Sequence, residues 1–408
     1  MLTTRLGTCK VCVNCGRCQQ GTKGLSALTA SFHTRELPAD EKKKVQTGFI
    51  IVDIGTTTIA MELYDFQGIK SAQYVCANPQ RIFGSDVLSR ISAAENKMNA
   101  LQMQRQLKEV LCQGISYFES EHEPVEEIYV SGNTTMLYFL LGKDVSPLGV
   151  APFVTDALSM ETFMLEGKNV YTLPGISAFV GSDVLSGMLA LGMDRKEKLS
   201  LFIDLGTNGE MILGNRDKLI CTSVAAGPAF DMAVSEHDIA WGADIIRLVS
   251  VLIHRGIVDE TGLLCEEYFE EGVTIGGIKI TQDYLHKLLL AKAAVAAGIS
   301  VLAKEYGLTD LGEITRVYVA GGMGFSMDEE AAIRIGMFPK QFRGKTVTVG
   351  NTSLAGAYYF ARCQTAISQA DIVKSKIEYI NLAQNNAFTE EYCAKMLFNG
   401  KFTKICQI

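Results

Sequence analysis

Short apolar runs separated by glycine turns dominate the hydrophobic pattern of the chain. The run FIIV at Phe49–Val52 has the length of a buried strand, and after DIGTTT the segment Ile59–Tyr64 alternates apolar with other side chains. Strand, glycine turn and alternating strand are typical of a β-hairpin. A further strand is expected at Ser71–Val75, and apolar residues at helical separations predict helix over Ser85–Glu119.

The same hairpin pattern occurs a second time, in LFIDLGTNGEMILG at Leu201–Gly214. The corresponding positions are Asp53 with Asp204, Gly55 with Gly206, and Thr56 with Thr207. Each copy is followed by another strand, which in the second copy is Lys218–Val224, and then by helix. Repetition of a whole supersecondary unit at this separation predicts two related lobes.

The rest of the pattern adds a long helix and a third glycine turn. Ile280–Lys304 has the apolar character of a buried helix, with Thr281 as its expected N-cap. The buried strand expected at Arg316–Ala320 leads into a turn of sequence GGMG. The predicted domains are a cysteine-rich arm (1–18), a polar tether (19–47), a first lobe (48–197), a second lobe (198–363) and a helical tail packed on the lobes (364–408).

Composition describes a globular chain. Of its 408 residues, 48% are hydrophobic and 20% are charged, which suits two or three domains. The longest apolar run, Leu288–Ala303, contains Lys292 and is shorter than the ~18 uncharged residues of a membrane span. We therefore expect no membrane segment and, because no signal peptide pattern is found, a cytoplasmic protein.

Charge is distributed unevenly. Residues 1–44 hold eight Lys/Arg against three Asp/Glu, whereas the whole chain has a formal net charge of −7. A basic arm can bind nucleic acid, but these charges are diluted by apolar and cysteine positions. We therefore expect no nucleic-acid partner.

Each of the three glycine turns follows an apolar strand; the two with Asp and Thr have the composition of phosphate-binding loops, and the third, GGMG, has no acid or threonine and suits a less charged part of a ligand, such as adenosine. Glycine lets backbone N–H groups approach a ligand closely, and threonine hydroxyls add further donors for phosphate oxygens. An aspartate can face phosphate through Mg²⁺, so Asp53 and Asp204 are expected to bind the metal and orient water as the catalytic pair. The expected nucleotide-binding residues are Gly55, Thr56, Thr57, Thr58, Gly206, Thr207, Asn208, Gly209, Gly321, Gly322 and Gly324. The alternative is that these are ordinary hairpin turns, in which Asp and Gly are common for conformational reasons.

Eleven cysteines are unusual for such a chain, and four of them fall at a fixed spacing of three residues. These four are Cys9, Cys12, Cys15 and Cys18, in the motif GTCKVCVNCGRC. An odd total and no export signal favour metal chemistry over a disulfide framework. The spacing approaches that of a [4Fe–4S] motif, but it has two residues before the fourth cysteine and no proline after it. Zinc, or a redox-active or inert cysteine run, remains an alternative. The arm is too short to bury a cluster alone, so the cluster is either exposed on a flexible arm or shared across a homodimer.

Taken together, the turns resemble the motifs of the actin-like ATPase superfamily, which includes sugar kinases, acetate kinase, heat-shock ATPases and actin. DIGTTT is similar to the first phosphate motif, DLGTNGE to the second and VAGGMG to the adenosine motif. Further stretches resemble the reductive activators of corrinoid proteins: NPQRIFGSDVLSRI, SGNTTMLYFLLG, FVGSDVLSGMLA, AAGPAFD, GNTSLAGA and KIEYINLAQNNAFTEEY. The resemblance runs from about residue 48 to the C-terminus.

The resemblance implies an α/β fold of two lobes, each built on a five-stranded sheet with flanking helices, around a nucleotide cleft. It implies an ATP-hydrolysing enzyme that drives one electron onto cobalt, converting Co(II) to Co(I) in a methyltransferase system. The implied partners are a corrinoid protein and a low-potential electron donor such as a ferredoxin or flavodoxin. Family members carry the electron through an iron–sulfur cluster, but the ferredoxin-like spacing of longer members is replaced here by the four-cysteine motif.

Five further residues are candidates for the cleft or the partner surface: Asn78, Arg81, Asn133, Asp183 and Gly227. A structural role is open for several of them, because Asn78 and Arg81 could turn the chain and Asp183 could cap a helix. An activator of a radical dehydratase, a small-molecule kinase of the same fold and a non-enzymatic ATP sensor are the alternative functions.

Overall fold

The structure is a computed structural model, and it describes residues 34–122, 124–155, 158–227, 230, 233–234, 239–240, 242–275, 278–322 and 327–398. The four-cysteine motif and the first part of the expected tether lie outside these residues. The chain divides into two compact units. Unit 1 comprises Met1–Gly192 and Asn351–Lys376, and unit 2 comprises Met193–Gly350 and Ile377–Ile408.

Sixteen strands are present in the described residues. They are β1 (Phe49–Ile54), β2 (Thr58–Tyr64), β3 (Lys70–Ala77), β4 (Glu127–Gly132), β5 (Glu161–Leu165), β6 (Lys168–Thr172), β7 (Ser200–Leu205), β8 (Gly209–Gly214), β9 (Leu219–Val224), β10 (Ala233–Val234), β11 (Ile239–Ala240), β12 (Val273–Ile275), β13 (Ile278–Ile280), β14 (Arg316–Gly321), β15 (Thr346–Gly350) and β16 (Ile377–Tyr379).

Eleven α-helices connect these strands within the same described residues. They are α1 (Val87–Ala94), α2 (Lys97–Glu119), α3 (Thr134–Leu141), α4 (Ser146–Gly149), α5 (Ser182–Ala190), α6 (Gly242–His254), α7 (Gln282–Tyr306), α8 (Glu329–Arg334), α9 (Thr352–Arg362), α10 (Ala366–Lys376) and α11 (Asn386–Ala394).

Each unit is built on one six-stranded sheet. The order is β3-β2-β1-β4-β6-β5 in unit 1 and β15-β14-β7-β8-β9-β16 in unit 2. In both sheets the first hairpin is antiparallel, and its first strand pairs in parallel with a strand from later in the unit. The predicted duplication is therefore present as sheet topology.

The sixth strand of each sheet is an addition to the five that the resemblance implies. In unit 1, β5 pairs antiparallel with β6, and in unit 2, β16 pairs in parallel with β9. The three residues of β16 belong to the tail for which only mixed helix was expected. A strand this short has no periodicity of its own to reveal it, and it is defined by its pairing with β9.

Most of the predicted elements are confirmed, with one local difference besides β16. The hydroxyl of Thr281 caps α7 by accepting a hydrogen bond from the Tyr284 N–H at 3.2 Å. The helix expected over Ser85–Glu119 is two helices, because Asn96 caps a new start by accepting from the Met98 N–H. An asparagine that bonds the backbone in this way competes with helix continuation.

The division into units also differs from the expected domain limits. The break after Gly192 comes five residues before the expected end of the first lobe at 197. Residues 351–376, which contain α9 and α10, pack in unit 1, although 351–363 were assigned to the second lobe. The reason is close packing of α9 on α5, where a Cβ on Gly187 would lie 2.8 Å from the Thr352 Cβ.

Among the described helices, α7 alone is long and apolar enough to cross a membrane by length and composition. Of its most apolar 18-residue window, 78% is buried inside the protein. Its side chains, among them Leu288, Val295 and Leu302, belong to the hydrophobic core of unit 2. This is the environment of a core helix in a globular domain.

Candidate functional site

Asp53 lies near the end of β1, in the sheet position that was singled out from the sequence. Its carboxylate accepts hydrogen bonds from Asn351 Nδ2 at 2.8 Å and from Ser353 Oγ at 2.7 Å. Burial raises the pKa of this carboxyl, and the two hydrogen bonds act in the opposite direction. Asn351 and Ser353 were not predicted as site residues, although they lie in the GNTSLAGA stretch that carries part of the resemblance.

Asp183 is a second acid beside Asp53. Burial, and after it the negative charge of Asp53, raise the pKa of Asp183 to about 7. Asp183 lies in the first turn of α5, whose start is fixed by Ser182: its Oγ donates to the Gly132 carbonyl at 2.9 Å. The structure therefore brings the candidate acid Asp183 to Asp53, at the point where β1 and its parallel neighbour β4 end.

The DIGTTT turn after β1 is tight and is bonded to two of the candidate asparagines. The Gly55 N–H donates to the Thr58 carbonyl at 3.0 Å, and a Cβ on Gly55 would lie 2.8 Å from that carbonyl oxygen. Asn78 Nδ2 donates to the Gly55 carbonyl at 2.9 Å, and Asn133 Nδ2 donates to Thr56 Oγ1 at 3.2 Å. Asn78 and Asn133 are thus part of the turn's support.

These asparagines also have the structural roles that the sequence left open. The side chain of Asn78 accepts from the Gln80 N–H at 3.0 Å, and so begins the 3-10 turn Pro79–Ile82. Asn133 caps α3 by accepting from the Met136 N–H at 3.0 Å. In each asparagine the amide oxygen accepts from the local backbone and the amide nitrogen donates to the DIGTTT turn. A structural role and a role in the site are therefore compatible.

The equivalent turn in unit 2 follows β7. Asp204 stands opposite Glu210 in β8 and beside Ala320 in β14. The Gly206 N–H donates to the Asn208 carbonyl at 2.9 Å, which closes the turn. A Cβ on Gly206 would meet no heavy atom within 4 Å, so the turn leaves open space at this residue.

The third glycine turn is brought directly against Asp204. Gly321 has φ +75°, and a Cβ there would lie 2.4 Å from both Asp204 Oδ1 and the Leu205 carbonyl oxygen. Only glycine fits this position, for its backbone conformation and for its closeness to Asp204. Gly322 faces open space, whereas Gly324 lies outside the described residues.

Gly227 and the cysteines complete the predicted set. Gly227 follows β9 with φ +71° and open space around it. Cys9, Cys12, Cys15 and Cys18 lie outside the described residues, and no group of three or more metal-ligating side chains is found in the part that is described. Among the described residues no cysteine forms a disulfide; Cys76, Cys221 and Cys363 are buried, Cys112 and Cys265 are partly buried, and Cys393 is exposed.

The duplicated sheets, each with an Asp–Gly turn at the end of its first strand, define the actin-like ATPase fold. Within this class, the family described as the RACo middle region matches residues 49–196. The C-terminal domain of RACo, the ASKHA domain, matches residues 198–240 and 237–406. The chain therefore belongs to the RACo family, and the predictions of its fold and family are confirmed.

Individual relatives agree with this assignment. The chain is 28% identical to the corrinoid activation enzyme RamQ of Eubacterium limosum, with 89% of this chain and 72% of RamQ covered. It is 21% identical to the [Co(II) methylated amine-specific corrinoid protein] reductase of Methanosarcina barkeri, with 86% and 76% covered. A solved structure of a reductive activator for a corrinoid, iron–sulfur protein matches with a TM-score of 0.76 and 28% identity, over 87% of this chain and 67% of that one.

Proposed function

We propose that this chain is an ATP-dependent reductive activator of a corrinoid protein and drives one electron onto cobalt, converting Co(II) to Co(I). The observation that carries the proposal is that both Asp–Gly turns lie within the regions that match the RACo family. The relatives' names agree with it, since one is named a corrinoid activation enzyme and another a reductase of a Co(II) corrinoid protein. The product, Co(I), is a cobalt nucleophile that can accept a methyl group.

Both units contribute to the phosphate-binding residues that we propose. In unit 1 they are Gly55, Thr56, Thr57 and Thr58, and in unit 2 they are Gly206, Thr207, Asn208 and Gly209. Gly321, Gly322 and Gly324 are proposed to border adenosine. The tight Gly55 turn and the open space at Gly206 and Gly322 support these roles, because a phosphate or nucleoside needs backbone without a side chain in its way.

Mg²⁺ fits the acidic groups of unit 1. Asp53 and Asp183 place two carboxyls together, and hard oxygen donors are the ligands that Mg²⁺ takes in proteins. We propose that Asp53 and Asp204 serve the metal, directly or through water, and that Asp183 supports Asp53. When bound, the ion would offset the negative charge of the phosphates.

The electron path rests on the N-terminal arm. We propose that Cys9, Cys12, Cys15 and Cys18 hold an iron–sulfur cluster, which would supply the one-electron chemistry. Thiolates also suit zinc, so the identity of the metal is part of the proposal. The proposed partners are a corrinoid protein and a low-potential donor of the ferredoxin or flavodoxin class, and we expect these to meet the chain in the cytoplasm.

The direct test is anaerobic reduction of a Co(II) corrinoid protein, followed by the visible spectrum of the corrinoid. Wild-type protein with ATP and a low-potential donor should form Co(I), and Asp204→Ala should slow this by about 100-fold or more, since a metal-binding carboxylate contributes several kcal/mol. The matched control is Asp217→Ala, because Asp217 is an exposed acid of the same unit whose side chain pairs with Arg216. Unchanged reduction by Asp204→Ala would remove Asp204 from the mechanism.

A further inference from the structure

Arg90, on α1, is the largest fully buried side chain of the described residues, and its charge is not neutralised by an ion pair. It is 0% exposed, and within the described part of the chain no carboxylate lies at ion-pair distance from it. Its guanidinium instead donates to four neutral acceptors: the Thr56 carbonyl at 2.5 Å, the Gly84 carbonyl at 3.0 Å, Gln80 Oε1 at 3.4 Å and Met136 Sδ at 3.4 Å. A buried charge held only by neutral acceptors is costly, so its retention needs a reason.

A second cation lies beside it. Arg81 is partly buried, and its Nη1 atom is buried without a hydrogen-bond acceptor among the described residues. Burial, followed by the charge of Arg81, lowers the pKa of Arg90 to about 10, and Asp86 opposes this more weakly. The carboxylate of Asp86 is occupied at the start of α1, where it accepts from the Ser89 N–H at 2.9 Å. The surroundings of Arg90 therefore carry an excess of positive charge.

Arg90 contacts the DIGTTT turn by a hydrogen bond to the backbone of the turn. Arg90 bonds the Thr56 carbonyl, while Asn78 bonds the two flanking carbonyls, that of Gly55 with Nδ2 and that of Thr57 with its N–H, each at 2.9 Å. Three successive carbonyl oxygens, which would repel an anion, are thus all engaged. Among the hydrogen bonds of the described residues, the N–H groups of Thr56 and Thr57 have no protein acceptor. The turn keeps donors available and has its acceptors occupied, as an anion-binding turn requires.

We propose that Arg90 is a positioning residue of the phosphate turn: it holds the Thr56 carbonyl, and together with Arg81 it supplies the positive charge by which the turn selects nucleoside polyphosphates. The inference rests on the proposed function, since it concerns the same turn. To the proposed function the inference adds a source of phosphate selectivity, namely the positive charges of Arg90 and Arg81.

The test compares the affinities of the full-length protein for ATP, ADP and adenosine by calorimetry, together with its melting temperature. In Arg90→Met the dissociation constant for ATP should rise by roughly 10- to 100-fold, the usual effect of losing a charged hydrogen bond, and that for adenosine should stay within about twofold. Arg90→Lys keeps the charge but not the fork that reaches these acceptors, so it should recover part of the ATP affinity. The matched control is Arg105→Met, which removes an exposed arginine from α2 of the same unit and should leave all three affinities unchanged.

A purely structural role for Arg90 would give a different result. The melting temperature would fall, but the ratio of ATP to adenosine affinity would stay at the wild-type value, and this would overturn the inference. If Arg90→Met does not fold, Arg81→Met carries the test, because it removes the neighbouring charge without touching the Thr56 carbonyl and should still weaken ATP more than adenosine. Failure of wild-type protein to bind ATP would refute the proposed function itself, whereas normal wild-type binding with an unchanged ratio in both variants would refute only the role of the arginines.

Discussion

Asp53 and Asp183 are two carboxyls of the same type placed in unequal surroundings. Asp53 accepts hydrogen bonds from Asn351 and Ser353, and such bonds favour the ionised form. Asp183 accepts from the backbone N–H of Val184 at 2.9 Å, and burial and the Asp53 charge raise its pKa to about 7. Burial raises the pKa of both carboxyls, so one shared proton is expected, and the two side-chain hydrogen bonds to Asp53 favour Asp183 as the carboxyl that holds it.

The first prediction concerns stability and pH in the protein without nucleotide or metal. The pKa of Asp183 is about 7 in the folded state against 3.8 in the unfolded state, so the folded protein loses stability from this group as pH rises from about 4 to about 7. Asp183→Asn cannot ionise, and it should be more stable than wild type at pH 8 by roughly 1–3 kcal/mol, allowing for screening. The gain should vanish near pH 4. Urea unfolding at several pH values measures it.

The control is a carboxyl with a shift of the opposite sign. Hydrogen bonds from Ser146 lower the pKa of exposed Asp144, so Asp144→Asn should gain no stability at pH 8. A gain for Asp183→Asn that is the same at pH 4 and pH 8 would show that repacking, and not ionisation, is its cause. The variant should also lose ATP-dependent cobalt reduction, because stability and function oppose each other at a site of like charges.

At the scale of elements, α5 and α9 connect the Asp53 region to the segment that follows the cysteine arm. Both helices begin beside Asp53, α5 with Asp183 and α9 with Ser353. They pack closely, since a Cβ on Gly356 would lie 2.0 Å from Ser186 Oγ. The packing leaves little room for one helix to shift without the other.

The C-terminal ends of the same two helices hold residues 34–44, which we call the strap. The Arg35 N–H donates to the Ala190 carbonyl of α5 at 2.7 Å, and the Arg35 guanidinium pairs with Glu41 and donates to the Tyr359 hydroxyl at 2.8 Å. The Lys43 N–H donates to the Arg362 carbonyl of α9 at 2.7 Å. The expected polar tether is therefore bound to unit 1 over this part of its length.

The second prediction is that Arg35 anchors the strap. Arg35→Ala removes an ion pair, a hydrogen bond and a contact of the guanidinium with the Tyr359 ring, 5.1 Å from the ring centre. We expect the protein to lose roughly 1–3 kcal/mol of stability. Backbone hydrogen exchange should rise in the strap and in the last turns of α5 and α9, as measured by mass spectrometry.

Arg216→Ala is the matched control, because its guanidinium pairs with two acids, Glu197 and Asp217, but is half exposed. Exposed pairs contribute little, so its stability should change by about 0.5 kcal/mol or less. Exchange that increases in the strap alone, with α5 and α9 unchanged, would show that the strap is bound to the helices without stabilising their ends.

At the scale of the whole molecule, the sequence predicted what depends on neighbours along the chain. The two hairpins were visible because Asp53 and Asp204 each lie near the end of an apolar strand, just before a glycine turn. The cap of α7 was also predictable, because Thr281 directly precedes the helical pattern. Strand period, turn chemistry and capping are local properties, and they agree here with the final structure.

What the sequence did not reveal depends on residues far apart in the chain. Asn351 and Ser353 reach Asp53 across almost 300 residues, and no local pattern marks them as its partners. Arg90 reads as an ordinary polar position in an amphipathic helix, and its burial follows only from the packing of α1 and the turn before it. Such contacts come from tertiary structure, which a single sequence records only indirectly.

The last prediction separates the cysteine arm from the nucleotide-binding units. If the arm supplies electrons and the units bind ATP, full-length protein with Cys9, Cys12, Cys15 and Cys18 all changed to Ser should bind ATP as the wild type does. It should form no Co(I) from a Co(II) corrinoid protein, because its route for electrons is gone. Metal analysis of anaerobically prepared wild type should find iron, which the variant lacks, and Cys393→Ser, at an exposed cysteine of unit 2, should keep both iron and activity. Stoichiometric zinc in the wild type, or normal cobalt reduction by the variant, would exclude the arm as the electron carrier and would require another route for electrons to reach cobalt.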